Sequence, residues 1–174
     1  MLSIRTALVG NPNAGKTSLF NALTGFHQHV GNWPGKTVTK KSGQCHFNGI
    51  QLELVDLPGT YSLSPFSNEE MITRDYLLTQ RPSVVMCVVD AANLERNLFL
   101  TVQILELGLP VVVALNMMDM AHARGLKVDI NKLSRRLGAP VIATVASRKQ
   151  GMEPLLEAVV ATAFVRQGAD DGDV

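Results

Sequence analysis

The sequence predicts an α/β fold: a mostly parallel six-stranded sheet with one antiparallel hairpin at its edge and helices on both faces. Three observations carry this. Residues 84–90 and 111–116 are short, β-branched apolar runs without alternation, the pattern of parallel strands buried on both faces. Segments with apolar residues at helical spacing stand between the strand-like runs, as in sheets covered by helices. Asn48-Gly49 joins two further strand-like runs, and this dipeptide is the strongest short signal for a two-residue hairpin turn.

In chain order, residues 2–9 read as a buried strand and residues 18–24 as a helix with Leu19, Phe20 and Leu23 on one side. Residues 25–36 are polar and Gly-rich, contain His27, His29 and Trp33, and show neither period, so a long mobile loop is expected there. Residues 38–47 and 50–56 form the hairpin strands. Ser67-Asn68-Glu69-Glu70 is a capping-box pattern that opens a helix running to about Leu78, before Pro82. Leu94, Leu98, Val102 and Leu105 recur at helical spacing with Gly108 as the stop. A helix over 129–137 presents Ile130, Leu133 and Leu137 and closes at Gly138. A last strand over 141–144 and a last helix over 153–164, with Leu155, Leu156, Val159, Val160 and Ala163 inward, complete the pattern.

At 174 residues the chain fits one domain, expected over 1–167, followed by a flexible acidic tail over 168–174. A hydrophobic content of 46% with 18% charged residues excludes a disordered chain. The net charge is +1 and the densest basic cluster is only Lys36, Lys40 and Lys41, so no nucleic-acid partner is expected. Cys45 and Cys87 lie in strands and read as reduced core thiols of a cytosolic protein, not as a disulfide or metal pair. The phosphate-loop pattern at Gly10 leaves no room before it for a signal peptide, and the apolar runs are too short to cross a bilayer. A domain with no direct membrane insertion is expected; an oligomer is left open.

The chemistry begins at Gly10-Asn11-Pro12-Asn13-Ala14-Gly15-Lys16-Thr17-Ser18, between a strand and a helix. A glycine-rich turn there lets backbone N–H groups converge on an anion, Lys16 reaches the outer phosphates and the Thr17 hydroxyl ligates Mg²⁺. Asp56-Leu57-Pro58-Gly59 follows the hairpin; Asp56 can hold Mg²⁺ through water and the Gly59 amide can donate to a terminal phosphate. Asn116-Met117-Met118-Asp119 follows a buried strand. The Asp119 carboxylate can accept from guanine N1–H and the 2-amino group; the alternative is a helix N-cap. Ala146, Ser147 and Arg148 follow the last strand, where backbone can meet guanine O6. Thr37 can complete the Mg²⁺ shell when a γ-phosphate is present.

Together these five stretches resemble the ordered motifs of the TRAFAC-class GTPases, which implies a Ras-like P-loop fold. Gly31-Asn32-Trp33-Pro34-Gly35-Lys36-Thr37, residues 56–63 and Asn93-Leu94-Glu95-Arg96-Asn97-Leu98 narrow it. They resemble the N-terminal G domain of the ferrous iron transport protein B family, in which a GTPase domain, a helical spacer and an Fe(II) permease share one polypeptide. The resemblance implies GTP and GDP as ligands, Mg²⁺ as cofactor, and a place on the cytoplasmic side of the prokaryotic inner membrane. The spacer and permease of the same polypeptide are the implied partners; neither is in this sequence. In potassium-activated relatives the asparagine matching Asn13 holds K⁺ against the phosphates, with carbonyls matching Gly31 and Trp33, so Asn13, Lys16 and Gly59 are the implied catalytic groups.

Two departures bear on mechanism. Thr60 stands where many GTPases have glutamine to orient the attacking water, so slow intrinsic hydrolysis is expected, stimulated by K⁺ as the resemblance implies. Met117 replaces the usual lysine of the guanine motif, so weak affinity and fast GDP release are expected. Ala146 stands where many relatives have serine, which bears on the ordering of the loop around the base. The competing readings are an RNA- or ribosome-associated GTPase of the Era or MnmE kind, and a nucleotide switch with negligible turnover. No iron site is expected from His27, His29, Cys45 and His46.

Overall fold

The computed structural model describes residues 2–170. Seven strands form one sheet in the order β2-β3-β4-β1-β5-β6-β7. β1 (Ser3–Gly10), β4 (Ile50–Asp56), β5 (Val84–Asp90), β6 (Val111–Asn116) and β7 (Val141–Ala143) are mutually parallel; β2 (Gln28–Asn32) and β3 (Thr39–Phe47) add antiparallel at one edge. The hairpin forms at Asn48-Gly49, whose φ values of 49° and 77° are the paired positive angles of a type I′ turn.

One expectation needs correction: the sheet has seven strands, not six, because part of the expected loop is β2. Its residues are almost all exposed, including Val30 at 68%. A strand that buries nothing carries no apolar alternation, so periodicity could not reveal it. β2 is held instead by ladder bonds that pair Gly31 with Lys40 and Asn32 with Thr39.

The helices divide between the two faces. α1 (Lys16–Thr24) and α6 (Met152–Asp170) cover one, burying Leu19, Phe20, Leu155 and Val159 against Leu8, Leu54, Met86 and Val112. α2 (Asn68–Gln80), α3 (Leu94–Glu106), α4 (Met118–Ala123) and α5 (Ile130–Leu137) lie on the other, where Leu77, Leu100, Ile104 and Ala121 meet Val9, Val85, Cys87 and Val113. Alternate residues of β1, β5 and β6 thus feed opposite cores, which explains their unbroken apolar runs. α4 was not foreseen, being six residues long. α6 continues past the expected end into the segment expected as a tail; residues 171–174 lie outside the described residues.

α2 starts as the capping box requires: the Glu70 amide donates to Ser67 Oγ, and the Ser67 amide to Glu70 Oε2, both at 3.2 Å. No helix among the described residues is long and apolar enough to cross a membrane. The connection after β1 runs toward β2 and β3, while the one after β4 runs to β5 on the other side of β1. The loop leaving β1 therefore sits where strand order reverses, the usual ligand position in such sheets.

Candidate nucleotide site

β1 ends at Gly10, where a Cβ would come within 2.8 Å of the Val88 carbonyl oxygen, so only glycine allows this approach to β5. The chain then turns, with the Ala14 amide donating to the Asn11 carbonyl at 3.2 Å. Asn13 and Gly15 take left-handed φ values of 68° and 85°. α1 starts at Lys16 with no side-chain cap and no acidic residue in its first turn. Its N-terminal amides and the positive end of its dipole are left for an external anion. They open on a cavity of about 620 Å³ lined by Pro12, Asn13, Lys16, Thr17, Gly59 and Met117, among others. Asn11, Gly15 and Ser18 also line it. A slightly larger cavity of about 680 Å³ lies between α2 and the sheet, but it contains none of the phosphate-loop residues.

Lys16 Nζ pairs with the Asp56 carboxylate, and both side chains are about nine-tenths buried. This pair joins the start of α1 to the end of β4. The Asp56 carboxylate and the hydroxyl of Thr17, the residue after its partner Lys16, are oxygen donors of the kind that suit a hard divalent cation.

Asn116, the last residue of β6, joins three segments. Its Nδ2 donates to the Ala14 carbonyl at 3.1 Å, and its Oδ1 accepts from the Ala146 amide at 3.0 Å and from Thr144 Oγ1 at 3.1 Å. The phosphate loop, the guanine motif and the fifth motif are therefore held by one buried amide. The fit also restricts Gly15, because a Cβ there would collide with Asn116 Nδ2. Met117 adopts φ 59° and its methyl carbon lies 3.4 Å from that same Gly15 Cβ position, so the thioether packs over the loop. Asp119 does not cap α4: it lies in the first turn, and the capping position is Met117, which makes no side-chain cap bond. Its carboxylate is 29% exposed and, among the described residues, its one ion pair is with Arg148 Nη2, at 3.8 Å. Ala146, Ser147 and Arg148 form a single 3₁₀ turn with Ala146 buried.

The loop after Asp56 is tied on several sides. The Leu57 amide donates to Leu8 O at 3.0 Å and the Thr60 amide to Gly10 O at 3.1 Å. Leu63 N donates to Gln103 Oε1 at 2.9 Å, and Ser62 Oγ to Glu70 Oε1 at 3.1 Å. Pro58 O accepts from Thr73 Oγ1 at 3.4 Å. Thr60 is 3% exposed and does not line the cavity, and its buried Oγ1 has no protein hydrogen-bond partner. Thr144, Gln103 and Glu70 were not foreseen as site supports. Only Glu70 had a sequence signal, the capping box.

Gly31, Trp33 and Thr37 do not line this cavity. Gly31 is zipped into β2, the Trp33 ring packs edge-on against Tyr76 at 5.7 Å, and the Trp33 carbonyl accepts the Lys36 amide at 3.0 Å. Thr37 is exposed. Burial pushes the Cys45 thiol up to about 11 and the Cys87 thiol up to about 12, so neither offers a thiolate near neutrality. Among the described residues no group of three or more His, Cys, Asp or Glu side chains is arranged to hold a metal.

Comparison with known proteins accords with this site. A family profile described as ferrous iron transport protein B matches residues 4–159. The Fe(2+) transporter FeoB of Escherichia coli is 50% identical over 163 residues, which cover 91% of this chain and 21% of that protein. The chain thus spans about a fifth of the length of that relative. A GDP-bound mutant of S. thermophilus NFeoB superposes with a TM-score of 0.87 at 52% identity, covering 91% of this chain and 62% of that one. The FeoB G-domain of Methanococcus jannaschii superposes with a TM-score of 0.84 at 42% identity, over 94% and 99% of the two chains. An α/β Ras-like G-domain fold, this phosphate loop and these matches place the chain in the ferrous iron transport protein B family, as a G domain.

Proposed function

We propose that this chain binds GTP and GDP, hydrolyses GTP, and thereby serves Fe(II) uptake by a prokaryotic membrane transporter, acting on the cytoplasmic side of the inner membrane. Its partners in that reading are the helical spacer and permease of the same polypeptide. The observation that carries the proposal is the Asn116 side chain, which binds the phosphate loop and both base-reading segments into one site. A loop built only to hold phosphate does not need that connection; a nucleotide site does, and the Asp119 carboxylate three residues after Asn116 suits guanine. GDP-bound relatives support the same ligand.

In this reading the first-turn amides of α1 and Lys16 bind the phosphates, and the Gly59 amide meets the terminal one. Asp119 accepts from the guanine edge while the backbone at Ala146, Ser147 and Arg148 meets O6. Mg²⁺ is assigned to Thr17, Asp56 and Thr37, and K⁺ to Asn13 with the Gly31 and Trp33 carbonyls. Thr17 and Asn13 already line the cavity and Asp56 is paired with its lining residue Lys16, whereas residues 31–37 have to move toward it. When bound, the two cations supply positive charge against that developing on the phosphates, the task of an arginine finger elsewhere. Lys16 has to exchange the Asp56 carboxylate for phosphate oxygens as nucleotide enters.

Single-turnover hydrolysis tests the proposal: GTP is expected to yield phosphate in KCl and much less in NaCl. Binding with no turnover in either salt would leave a nucleotide switch instead, the reading that buried Thr60 favours. Met117 packs against the loop without an ammonium, so GDP release is expected within seconds in a stopped-flow displacement experiment. Met117→Lys is expected to slow it. Release over minutes by the parent would refute fast exchange.

A further inference from the structure

The stretch Asn93-Leu94-Glu95-Arg96-Asn97-Leu98 has no part in the nucleotide contacts described so far, yet its side chains are bonded in detail. At the end of β5, Asp90 Oδ1 accepts the Ala92 amide at 2.8 Å and Asp90 Oδ2 accepts Asn93 Nδ2 at 2.7 Å. Asn97, only 6% exposed, accepts the Asp90 amide on Oδ1 at 3.2 Å and donates from Nδ2 to the Asn93 carbonyl at 2.9 Å. These four bonds fix the 3₁₀ turn and the first turn of α3 to the end of β5. Arg96, next to Asn97, is thereby held with its guanidinium 4.6 Å from the centre of the Tyr61 ring. Among the described residues Arg96 forms no ion pair.

Tyr61 lies two residues beyond Gly59 in the loop that meets the terminal phosphate. A recess of about 170 Å³ lies beside it, and Asn11, Pro12, Asn13, Tyr61 and Arg96 all line it. Asn11, Pro12 and Asn13 also line the nucleotide cavity, so the recess backs onto the phosphate loop. Asn11 is 3% exposed, and neither atom of its amide has a protein partner. The start of α3, the loop after Gly59 and the first half of the phosphate loop therefore meet at one point.

We propose that Arg96 is a positioning residue for GTP hydrolysis, stacking on Tyr61 to hold the backbone from Gly59 to Tyr61 against the phosphate loop. The proposal rests on the GTPase reading above. Its physical basis is the position of Thr60: with that side chain buried and off the cavity, this loop meets the terminal phosphate through its backbone at Gly59. That backbone is fixed on one side by the Thr60 amide on Gly10 O and on the other by the cation over the ring. An exposed cation–π contact is modest, so the latch biases the loop and does not lock it.

The test uses GDP- and GTP-loaded protein. Arg96→Ala is expected to slow single-turnover hydrolysis about three- to fivefold, the scale of one exposed cation–π contact, while GTP affinity stays within about twofold. Arg96→Lys keeps a cation over the ring and is expected to recover most of the rate. Tyr61→Ala is expected to match Arg96→Ala, with the double variant no slower than either, because the two act through one contact. Hydrogen exchange at the Thr60 amide of the GDP form is expected to quicken in Arg96→Ala and to be restored in Arg96→Lys. Unchanged exchange at Thr60, or multiplying effects of the two alanines, overturns the latch. A parent protein that shows the exchange response but hydrolyses no GTP overturns the GTPase reading instead, and with it the catalytic purpose of the latch.

Discussion

Asn116→Ala is expected to lower both stability and nucleotide affinity more than any other single change at a base-reading segment. The substitution leaves the Ala146 amide and the Ala14 carbonyl without their protein partner, and takes the acceptor from Thr144 Oγ1. An unsatisfied buried polar group costs about 1–3 kcal/mol, and partial relaxation around Gly15 offsets some of the sum. A loss of roughly 2–4 kcal/mol, or roughly 5–15 °C in Tm for a domain of this size, is expected in denaturant and thermal unfolding. Asn116→Asp keeps the acceptor but sets a carboxylate against the Ala14 carbonyl, so it is also expected to destabilise. A midpoint within about 0.5 kcal/mol of the parent's, the range of ordinary surface substitutions, would show that the three segments do not depend on this amide.

Asp119→Asn is expected to do the opposite: spare the fold and change the ligand. Asp119 caps no helix, and its one ionic contact, to Arg148 at 3.8 Å, is solvent-screened. Its removal is therefore expected to move the unfolding midpoint little. The carboxylate is the group expected to accept from guanine N1–H and the 2-amino group, and bonds to a charged acceptor contribute about 1.5–3 kcal/mol each. Affinity for GDP is expected to fall about 100-fold or more. Xanthine carries a carbonyl in place of the 2-amino group, so the new amide N–H is expected to favour XDP over GDP. Equal GDP binding by parent and variant in a calorimetric titration would remove Asp119 from base recognition.

The parts of this molecule that bury apolar surface were legible in the sequence, because burial leaves a period. β5, β6, the hairpin turn at Asn48-Gly49 and the capping box at Ser67 all announce themselves through side chains that the fold uses directly. β2 does not, since it is held by its backbone ladder to β3 and by the Gln28 amide on Asn21, Thr24 and Gly25, while its other side chains are exposed. The site divides the same way. Lys16, Asp56 and Asp119 stand out in the sequence because each sits in a short local motif, and the fold pairs the first two. The bond from Asn116 to Ala14 spans the chain from the first loop to β6, and Thr144 and Gln103 contribute single hydrogen bonds that any polar residue could have made. Arg96 was visible only as part of a family signature, and its contact with Tyr61 depends on how α3 is pinned to the end of β5. Gly31, Trp33 and Thr37 are a different case: sequence marks them for the cations, while the fold holds them in β2, beside Tyr76 and in solvent.

The claim that a cation at Asn13 takes the place of the missing glutamine is open to one direct measurement: the ratio of single-turnover GTP hydrolysis in KCl to that in NaCl, in the parent and in Asn13→Ala. Asn13 is exposed at the cavity wall, so its replacement removes the side-chain oxygen proposed for the cation without removing a core contact. The parent is expected to hydrolyse GTP several-fold faster in K⁺, and Asn13→Ala is expected to fall to the Na⁺ rate in both salts. An Asn13→Ala protein that keeps the parent's rate and the parent's K⁺ preference would contradict the account.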